Sequence, residues 1–192
     1  CRCHRASDVG VSPRRREVMM DLDLTAQLPP AAEFFALYRD GDEQKIWDGR
    51  SLVVRALQNT DLDTRYQVVS FLLDREARLE AVTRGGNTVL HILFGQVRHD
   101  IAQDVELARR FLDRGVDINA LGERHEVAFQ WVLNLNYTDE DLALIYDLWF
   151  EQPVLDFETK NKAGFSPIEL AEKVPYRASI ASRMKECVRE HA

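Results

Sequence analysis

The sequence predicts an all-α protein in which pairs of short helices stack in a solenoid. Two observations support this. A pattern of glycine, hydroxyl and apolar residues recurs with anchors near positions 49, 86, 125 and 164, at intervals of 37, 39 and 39 residues. Between the anchors, apolar residues recur at the spacing of a helix with one buried face. Repeats of roughly 20–50 residues are typical of stacked arrays, so residues 20–192 are expected to form one domain.

Residues 1–19 differ from the rest of the chain in charge. Residues 1–20 hold five arginines against two acidic residues, so residues 21–192 carry −10 of a total net charge of −7. The string RRREVMM is what a purine-rich bacterial ribosome-binding site before two start codons would encode. We therefore expect residues 1–19 to be a disordered or non-native leader, with Met20 as the first residue of the protein.

The first helix of each repeat is predicted from its start signals. Ser51, Thr88 and Ser166 stand two residues after their anchor glycines, and a hydroxyl there can accept an N–H bond from the first turn of a helix. Pro167 suits the first helical position because its missing N–H is not needed there. The third copy is degenerate, with His125 where glycine is expected.

The second helix of each repeat is predicted from apolar periodicity. In three segments, apolar residues recur at the three- and four-residue spacing of one helix face. These residues are Val68, Val69, Leu72 and Leu73; Val105, Ala108, Phe111 and Leu112; and Leu142, Ile145, Tyr146 and Trp149. Gly115 is placed to end the second of these helices in a left-handed conformation, and Thr138 with Asp141 is placed to cap the third. Because Glu76 and Pro153 replace that glycine, the other two helices are expected to end differently.

The ends of the array are predicted to be atypical helices. Residues 31–39 follow two prolines and are expected to cap the N-terminal end, and residues 177–190 are expected to form a polar C-terminal cap. Each repeat also has surplus residues between its two helices, in QNTDLDTRY, GQVRHDIAQD and LNLNYTDED. These are either longer helices or projecting loops on one edge.

The stretches RGGNTVLHIL and GVDINA, joined at the same offset in successive copies, resemble the ankyrin repeat. The resemblance implies a hairpin loop before each first helix, an extended concave face, and protein–protein interaction without catalysis. It also implies that His91 and Asn119 tie neighbouring loops by hydrogen bonds. Transferred copy by copy, the partner-binding positions are Trp47, Arg50, Arg55, Arg84, Asn87, Ile92, Arg124, Glu126, Trp131, Lys162, Phe165 and Leu170.

Three of these positions form an apolar stripe, and two explanations of it are open. Ile92, Trp131 and Leu170 follow the histidine position in successive copies, with Arg84, Arg124 and Lys162 at the loop tips. An apolar stripe with a basic rim is typical of an interface, where tryptophan and arginine often supply most of the binding energy. Alternatively, the stripe belongs to the core.

The remaining features exclude several classes of function. The acidic domain would repel phosphate backbones, so no nucleic-acid partner is expected, and no apolar run is long enough to cross a bilayer. There is no phosphate loop, nucleophile elbow or zinc-protease motif, so we expect no enzyme activity and no cofactor. Cys1, Cys3 and Cys187 form neither a disulfide framework nor a metal site, which indicates a reducing, cytoplasmic compartment.

The sequence therefore predicts a non-catalytic binding module for another protein with a basic surface, monomeric without that partner. A role as an immunity or antitoxin protein follows by analogy with small acidic inhibitors. The alternative is a self-assembling structural or scaffold subunit that associates through Phe34, Phe35 and Tyr38.

Overall fold

Helices follow one another along most of the computed structural model, which describes residues 21–80 and 86–191. The expected leader, residues 1–19, and the predicted site residue Arg84 lie outside the described residues. The helices are α1 (Leu22–Gln27), α2 (Ala31–Leu37), α3 (Leu52–Leu57), α4 (Leu62–Leu73), α5 (Val89–Phe94), α6 (Ile101–Asp113), α7 (Ala128–Leu133), α8 (Ala143–Phe150), α9 (Pro167–Glu172) and α10 (Ala178–His191). Two strands, β1 (Ile46–Trp47) and β2 (Arg50–Ser51), and 3-10 turns at Asp42–Gln44 and Pro175–Arg177 complete the described elements.

The helices form two rows. The first row is α1, α3, α5, α7 and α9, in which each helix contacts the next. In the second row, α2, α4, α6 and α8 contact one another in order, and an Arg183–Asp147 ion pair links α8 to α10. Each first-row helix is paired with the second-row helix that follows it, and the rings of Phe129, Tyr146 and Trp149 make that contact for α7 and α8.

The hydrophobic core lies between the two rows. Leu52, Leu57, Phe94, Phe129 and Trp149 are among the side chains with almost no exposed surface. Burying a large apolar side chain stabilises a fold by about 1.5–3 kcal/mol. Because the first-row helices are only six residues long, their stability depends on this packing between neighbours rather than on helix propensity.

The first pair includes a helix that the sequence did not indicate. The N-terminal end was expected to begin with residues 31–39, but α1 precedes α2 and packs against α3. Ala26 of α1 is fully buried, and its carbonyl oxygen accepts a 3.1 Å hydrogen bond from the Asn59 side chain. A six-residue helix shows too little periodicity to be recognised, whereas its burial against α3 holds it in place.

The loops before the first-row helices form what we call the hairpin edge. There β1 and β2 pair antiparallel, with Trp47 opposite Arg50. Both turn residues, Asp48 and Gly49, have positive φ, which is typical of a tight two-residue hairpin. His125 also has a positive φ, of 59°, so the degenerate third anchor keeps the backbone conformation of the glycines that it replaces.

One predicted difference between helix ends is wrong. Glu76 has a φ of 55°, close to the left-handed region that Gly115 occupies at 82°. The residue that follows each of them makes the same helix-ending hydrogen bond. The Ala77 N–H donates to the Leu72 carbonyl oxygen, and the Val116 N–H donates to the Phe111 carbonyl oxygen. Helices α4 and α6 therefore end alike, because the loop bonds hold Glu76 in a conformation that glycine adopts more easily.

The connections within each helix pair lie at the opposite end, which we call the turn edge. The surplus residues of the repeats are here: residues 58–61, 95–100 and 134–141 form turns, and the rest lie in α4, α6 and α7. Carbonyl oxygens of these turns bind buried arginines. Arg65 is 1% exposed and donates to the carbonyl oxygens of Asn59, in its own turn, and Arg98, in the next turn. Arg177 is fully buried and donates to three carbonyl oxygens of the previous turn, those of Leu133, Leu135 and Tyr137.

Carboxylates complete the polar interior of the turn edge. Arg177 forms a 2.6 Å ion pair with Asp139. Farther along, Asp104 is fully buried, accepts a 2.8 Å hydrogen bond from the Tyr66 hydroxyl and lies 2.6 Å from His99 Nδ1. His99 Nε2 faces the carbonyl oxygen of Gln96 at 2.8 Å. Since each charged group there has a partner, the cost of burying it is offset.

Candidate functional site

Neighbouring hairpins on the hairpin edge are bonded to each other. The third hairpin closes with a bond from Gly122 N–H to the Glu126 carbonyl oxygen. Lys162, in the fourth hairpin, donates its backbone N–H to the Arg124 carbonyl oxygen and its ammonium to the Glu123 carbonyl oxygen, both at 2.8 Å. The third and fourth hairpins therefore have a fixed relative position, which holds the side chains at their tips side by side.

His91 links the second copy to the third. Its Nε2 lies 3.0 Å from the Glu126 carbonyl oxygen, and its Nδ1 accepts a hydrogen bond from the Thr88 N–H. Burial lowers the pKa of His91, against the opposing effect of the Glu126 carbonyl, so the ring is neutral with its proton on Nε2. His91 thus has the loop-tying role that the sequence predicted, as does Asn119, which bonds to the backbone at Val154 and Asp156.

Gln130 occupies the histidine position of the third copy. Its side-chain nitrogen donates to the carbonyl oxygen of Phe165 in the next hairpin at 2.9 Å, as His91 does to Glu126. Its side-chain oxygen has no hydrogen-bond partner, although the residue is only 2% exposed. The third copy therefore keeps the contact between hairpins but leaves one acceptor of this residue unused.

Trp131 is held in place on two sides. Its indole N–H donates to Glu126 Oε1 at 3.1 Å. Its ring lies so close to Gly95, at the end of α5, that a Cβ there would come within 3.2 Å of the ring carbons. The side chain is half-buried, so one part packs on the fold while another part remains accessible. An indole fixed in this way loses little conformational entropy when a ligand contacts it.

A cavity of about 610 Å³ opens beside Trp131. Its volume lies in the range of about 300–1,000 Å³ that is usual for ligand sites. Glu126 is 5% exposed, and its Oε2 has no hydrogen-bond partner. The cavity lining thus combines an indole, two buried side chains with unused oxygens, two cationic side chains and three small or amide residues: Trp131, Glu126, Gln130, Arg124, Lys162, Asn134, Asn161 and Ala163.

The structure brings four predicted site residues together at this cavity and places the other described ones elsewhere. Arg124, Glu126, Trp131 and Lys162 line it. At the first hairpin, Arg55 donates to the Trp47 carbonyl oxygen and lies 3.5 Å from Asp23, and Arg50 donates to Gln58. In the other copies, the Asn87 side chain accepts from the Glu123 N–H, and the Phe165 ring lies under the Lys173 ammonium at 3.8 Å.

Two predicted contact residues are not exposed. Ile92 is 9% exposed, and its helix, α5, lies between α3 and α7. Glu126 was expected to present its side chain at the surface, but the residue is 5% exposed and its Oε1 accepts the hydrogen bond of the Trp131 indole N–H. Leu170 is half-buried and packs against the core. Most of the apolar stripe therefore belongs to the packing between helices, and Trp131 is the member that reaches the cavity.

Three lining residues were missed from the sequence: Gln130, Asn134 and Asn161. Gln130 lies 39 residues after His91, so aligning the copies would have placed it in the histidine position. Asn134 follows Trp131 by three residues at the end of α7, and its N–H donates to the Trp131 carbonyl oxygen. Asn161 carried no such signal, because its relation to Trp131 arises from the packing of successive copies, in which α7 contacts α9.

Residues 21–80 and 86–191 give no indication of a metal site or of a membrane span. Within these ranges, no group of three or more histidine, cysteine, aspartate or glutamate residues is arranged to hold a metal ion. None of the described helices has the length and apolar character required to cross a membrane.

Comparison with known proteins shows a shared fold. No protein-family model matches the chain, and no curated protein matches it. Among solved structures, the chain is similar to a functionally unknown protein from Leptotrichia buccalis C-1013-b, with 24% sequence identity and a TM-score of 0.78. The match covers 90% of this chain and 95% of that one. At this identity, the similarity concerns the fold alone, since one fold serves many functions.

Proposed function

We propose that the chain is an ankyrin-like solenoid that binds a partner protein on its hairpin edge, centred on Trp131. One observation carries the proposal. A half-buried indole, fixed by Glu126 and Gly95, forms the wall of a 610 Å³ cavity whose rim carries cations from two neighbouring hairpins. Tryptophan and arginine are enriched among residues that dominate binding energy at protein interfaces.

The repeat spacing and the contacts between helices support the solenoid part of the proposal. Helix pairs contact the pairs before and after them, and the anchors recur every 37–39 residues. Arrays that contact only their neighbours leave an extended surface on which partners bind. The acidic charge of the domain supports a partner with a basic surface, since opposite charges accelerate encounter.

We further propose that the module works as an inhibitor of the immunity or antitoxin type in a reducing cytoplasm. A small acidic module with a rigid binding face is suited to covering the basic rim of another protein's active site. Coexpression with candidate toxins from adjacent genes tests this role, and unchanged toxicity with every neighbour would contradict it.

A pull-down followed by affinity measurement tests the binding function. The full chain serves as bait in an extract of its source cells, beside Trp131→Ala and Tyr176→Ala variants. Tyr176 is a suitable control because it is an aromatic residue that is 62% exposed but lies in the Pro175–Arg177 turn, at the turn edge. A partner should be retained by the wild type and Tyr176→Ala and lost from Trp131→Ala, with a binding cost of about 2–4 kcal/mol for the purified pair. Equal affinity for all three baits would refute the site.

A second candidate function, self-assembly, is favoured by the surface of the first helix pair. Leu24, Leu28, Phe35 and Leu37 are each about 40% exposed there. Phe34, which was expected to take part, is fully buried, and Tyr38 is half-buried. A mass by light scattering that rises with concentration, and falls to the monomer value in Phe35→Glu, would support this candidate over a monomeric binder.

A further inference from the structure

Two buried oxygens at the Trp131 cavity lack donors. Glu126 Oε2 and Gln130 Oε1 have no hydrogen-bond partner, and their residues are 95% or more buried. Buried polar groups in native proteins are almost always paired, because an unpaired one keeps the cost of losing water without a compensating bond. Both residues line the same cavity, although each of the two oxygens presents less than 1 Å² of surface. A single ligand with several donors would therefore lie beside both side chains and would bond to the oxygens once these turn toward it.

The equivalent positions in neighbouring copies show that this deficit is not a property of the repeat. At the position of Gln130, His91 in the second copy uses both ring nitrogens. In the fourth copy, Glu169 accepts from the Ser166 N–H through one oxygen and from the Lys160 ammonium through the other. The third copy alone among these three leaves an acceptor free, and it does so beside the exposed part of Trp131.

We propose that the cavity receives one arginine side chain of the partner protein, with its guanidinium between Glu126, Gln130 and the Trp131 indole. This proposal rests on the binding function proposed above. A guanidinium carries five donors in a fixed plane and stacks on aromatic faces, so it can bond to two acceptors and contact the indole at once. The buried carboxylate supplies the opposite charge.

The rim restricts what surrounds that arginine. Arg124 and Lys162 line the mouth of the cavity, and Lys162 already donates to the Glu123 carbonyl oxygen. Further basic residues next to the inserted arginine would meet these cations at short range, and like charges at an interface are unfavourable. The occupant is therefore an arginine flanked by acidic residues rather than a polybasic segment.

A titration followed by NMR tests the proposal on the full chain. The probe is acetyl-Glu-Arg-Glu-amide, and the readout is the Trp131 indole N–H, which is bonded to Glu126. That resonance is assigned by its loss in Trp131→Phe. The arginine peptide should give a saturable shift, and the peptide with uncharged citrulline in place of arginine should give none. A peptide of three arginines should bind more weakly than the acidic-flanked probe.

Variants assign the effect to the buried carboxylate. Glu126→Gln keeps an oxygen that accepts from the indole N–H but removes the negative charge. The affinity for the arginine peptide should fall about tenfold. Glu123→Gln makes the same change at the exposed tip of the same hairpin and should bind as the wild type does. Absence of a shift, equal binding of the citrulline peptide, or unchanged affinity in Glu126→Gln would each overturn the arginine proposal. The binding function would then stand or fall separately on the Trp131→Ala pull-down.

Discussion

The two edges of the helix array treat buried polar groups in opposite ways. At the turn edge, Arg65, Arg177 and Asp104 are almost completely buried, and each has hydrogen-bond partners in a neighbouring turn. At the hairpin edge the buried side chains that link copies are neutral, namely His91 and Gln130, which donate to backbone carbonyl oxygens. In the part of the chain that the structure describes, the buried side-chain atoms without partners are Arg55 Nε, Glu126 Oε2 and Gln130 Oε1, all on first-row helices or their loops.

This difference indicates a division of roles. Buried charges that are fully bonded hold successive repeats in register, and removing one partner of such a set is strongly destabilising. Polar groups left without partners weaken the fold, and they persist where another requirement outweighs stability. We therefore expect substitutions at the turn edge to affect unfolding most, and substitutions around the third hairpin to affect binding most.

Arg177→Met should give the largest effect. It removes the donors of three carbonyl oxygens and the partner of Asp139, and we expect unfolding in urea to be easier by about 3 kcal/mol. Arg183→Met is the matched control, because Arg183 forms an exposed ion pair with Asp147. That change should cost no more than about 0.5 kcal/mol. Similar losses in both variants would contradict the special role of the turn edge.

His91→Ala should rank second, at about 2 kcal/mol, because the Glu126 carbonyl oxygen and the Thr88 N–H lose their partner. His91→Gln should cost much less, since Gln130 makes the same kind of contact in the next copy. The comparison is made by urea unfolding at neutral pH. If the two variants were equally destabilised, the hydrogen bond to the next hairpin would not be what His91 contributes.

The pH dependence of stability sharpens this test. Burial lowers the pKa of His91 from its usual 6.5, so the unfolded chain binds a proton at His91 more readily than the folded chain does. The contribution of His91 to stability is therefore complete above pH 6.5 and is lost as the pH falls below that value. Between about pH 7.5 and 5.5, the wild type should lose more stability than His91→Gln. Parallel pH profiles would show that His91 does not titrate differently in the two states.

Gly95→Ala should have an intermediate effect, which lowers the stability of the fold and also changes the position of the Trp131 ring. The added Cβ would lie 2.8 Å from the His91 carbonyl oxygen and 3.2 Å from the Trp131 ring. We expect a cost of about 1–2 kcal/mol, as for other overpacked sites, and a shift of the Trp131 indole N–H resonance. Gly115→Ala is not equivalent, because its cost would come from a positive φ rather than from contact. An unchanged indole signal would show that Trp131 does not rest on Gly95.

Val127→Thr should give the smallest effect and the opposite sign. Ser51 and Ser166 cap their helices by accepting a backbone N–H, whereas Val127, at the same position before α7, cannot. A threonine there should stabilise the third copy by about 0.5 kcal/mol. Val132→Thr, in the middle of α7 with no free N–H to accept, should be destabilising. Urea midpoints of the two variants provide the check.

The third copy was the hardest to predict because the determinants of its structure lie in other copies. Its missing glycine and hydroxyl weakened the local signals at His125 and Val127. It nevertheless folds with a left-handed residue at position 125 and a helix at residues 128–133. Hydrogen bonds from His91 on one side and from Lys162 on the other hold that hairpin in place. Because these partners lie 35 and 38 residues away along the chain, the sequence around the hairpin gives no sign of them.

Local chemistry in the sequence was sufficient for the helical class, for most helices and for several caps. Ser51, Ser166 and Gly115 act within one or two turns of their own position, so their neighbours in the sequence determine what they do. The tertiary structure decided which side chains of the stripe are covered, because burial depends on the helices before and after. Ile92 is buried between two neighbours, while Trp131 faces a cavity formed by two hairpins. Residues 58–61, 95–100 and 134–141 of the surplus segments became turns beside buried arginines for the same reason. Arg65 donates to a carbonyl oxygen 33 residues away and Arg177 to one 44 residues away along the chain.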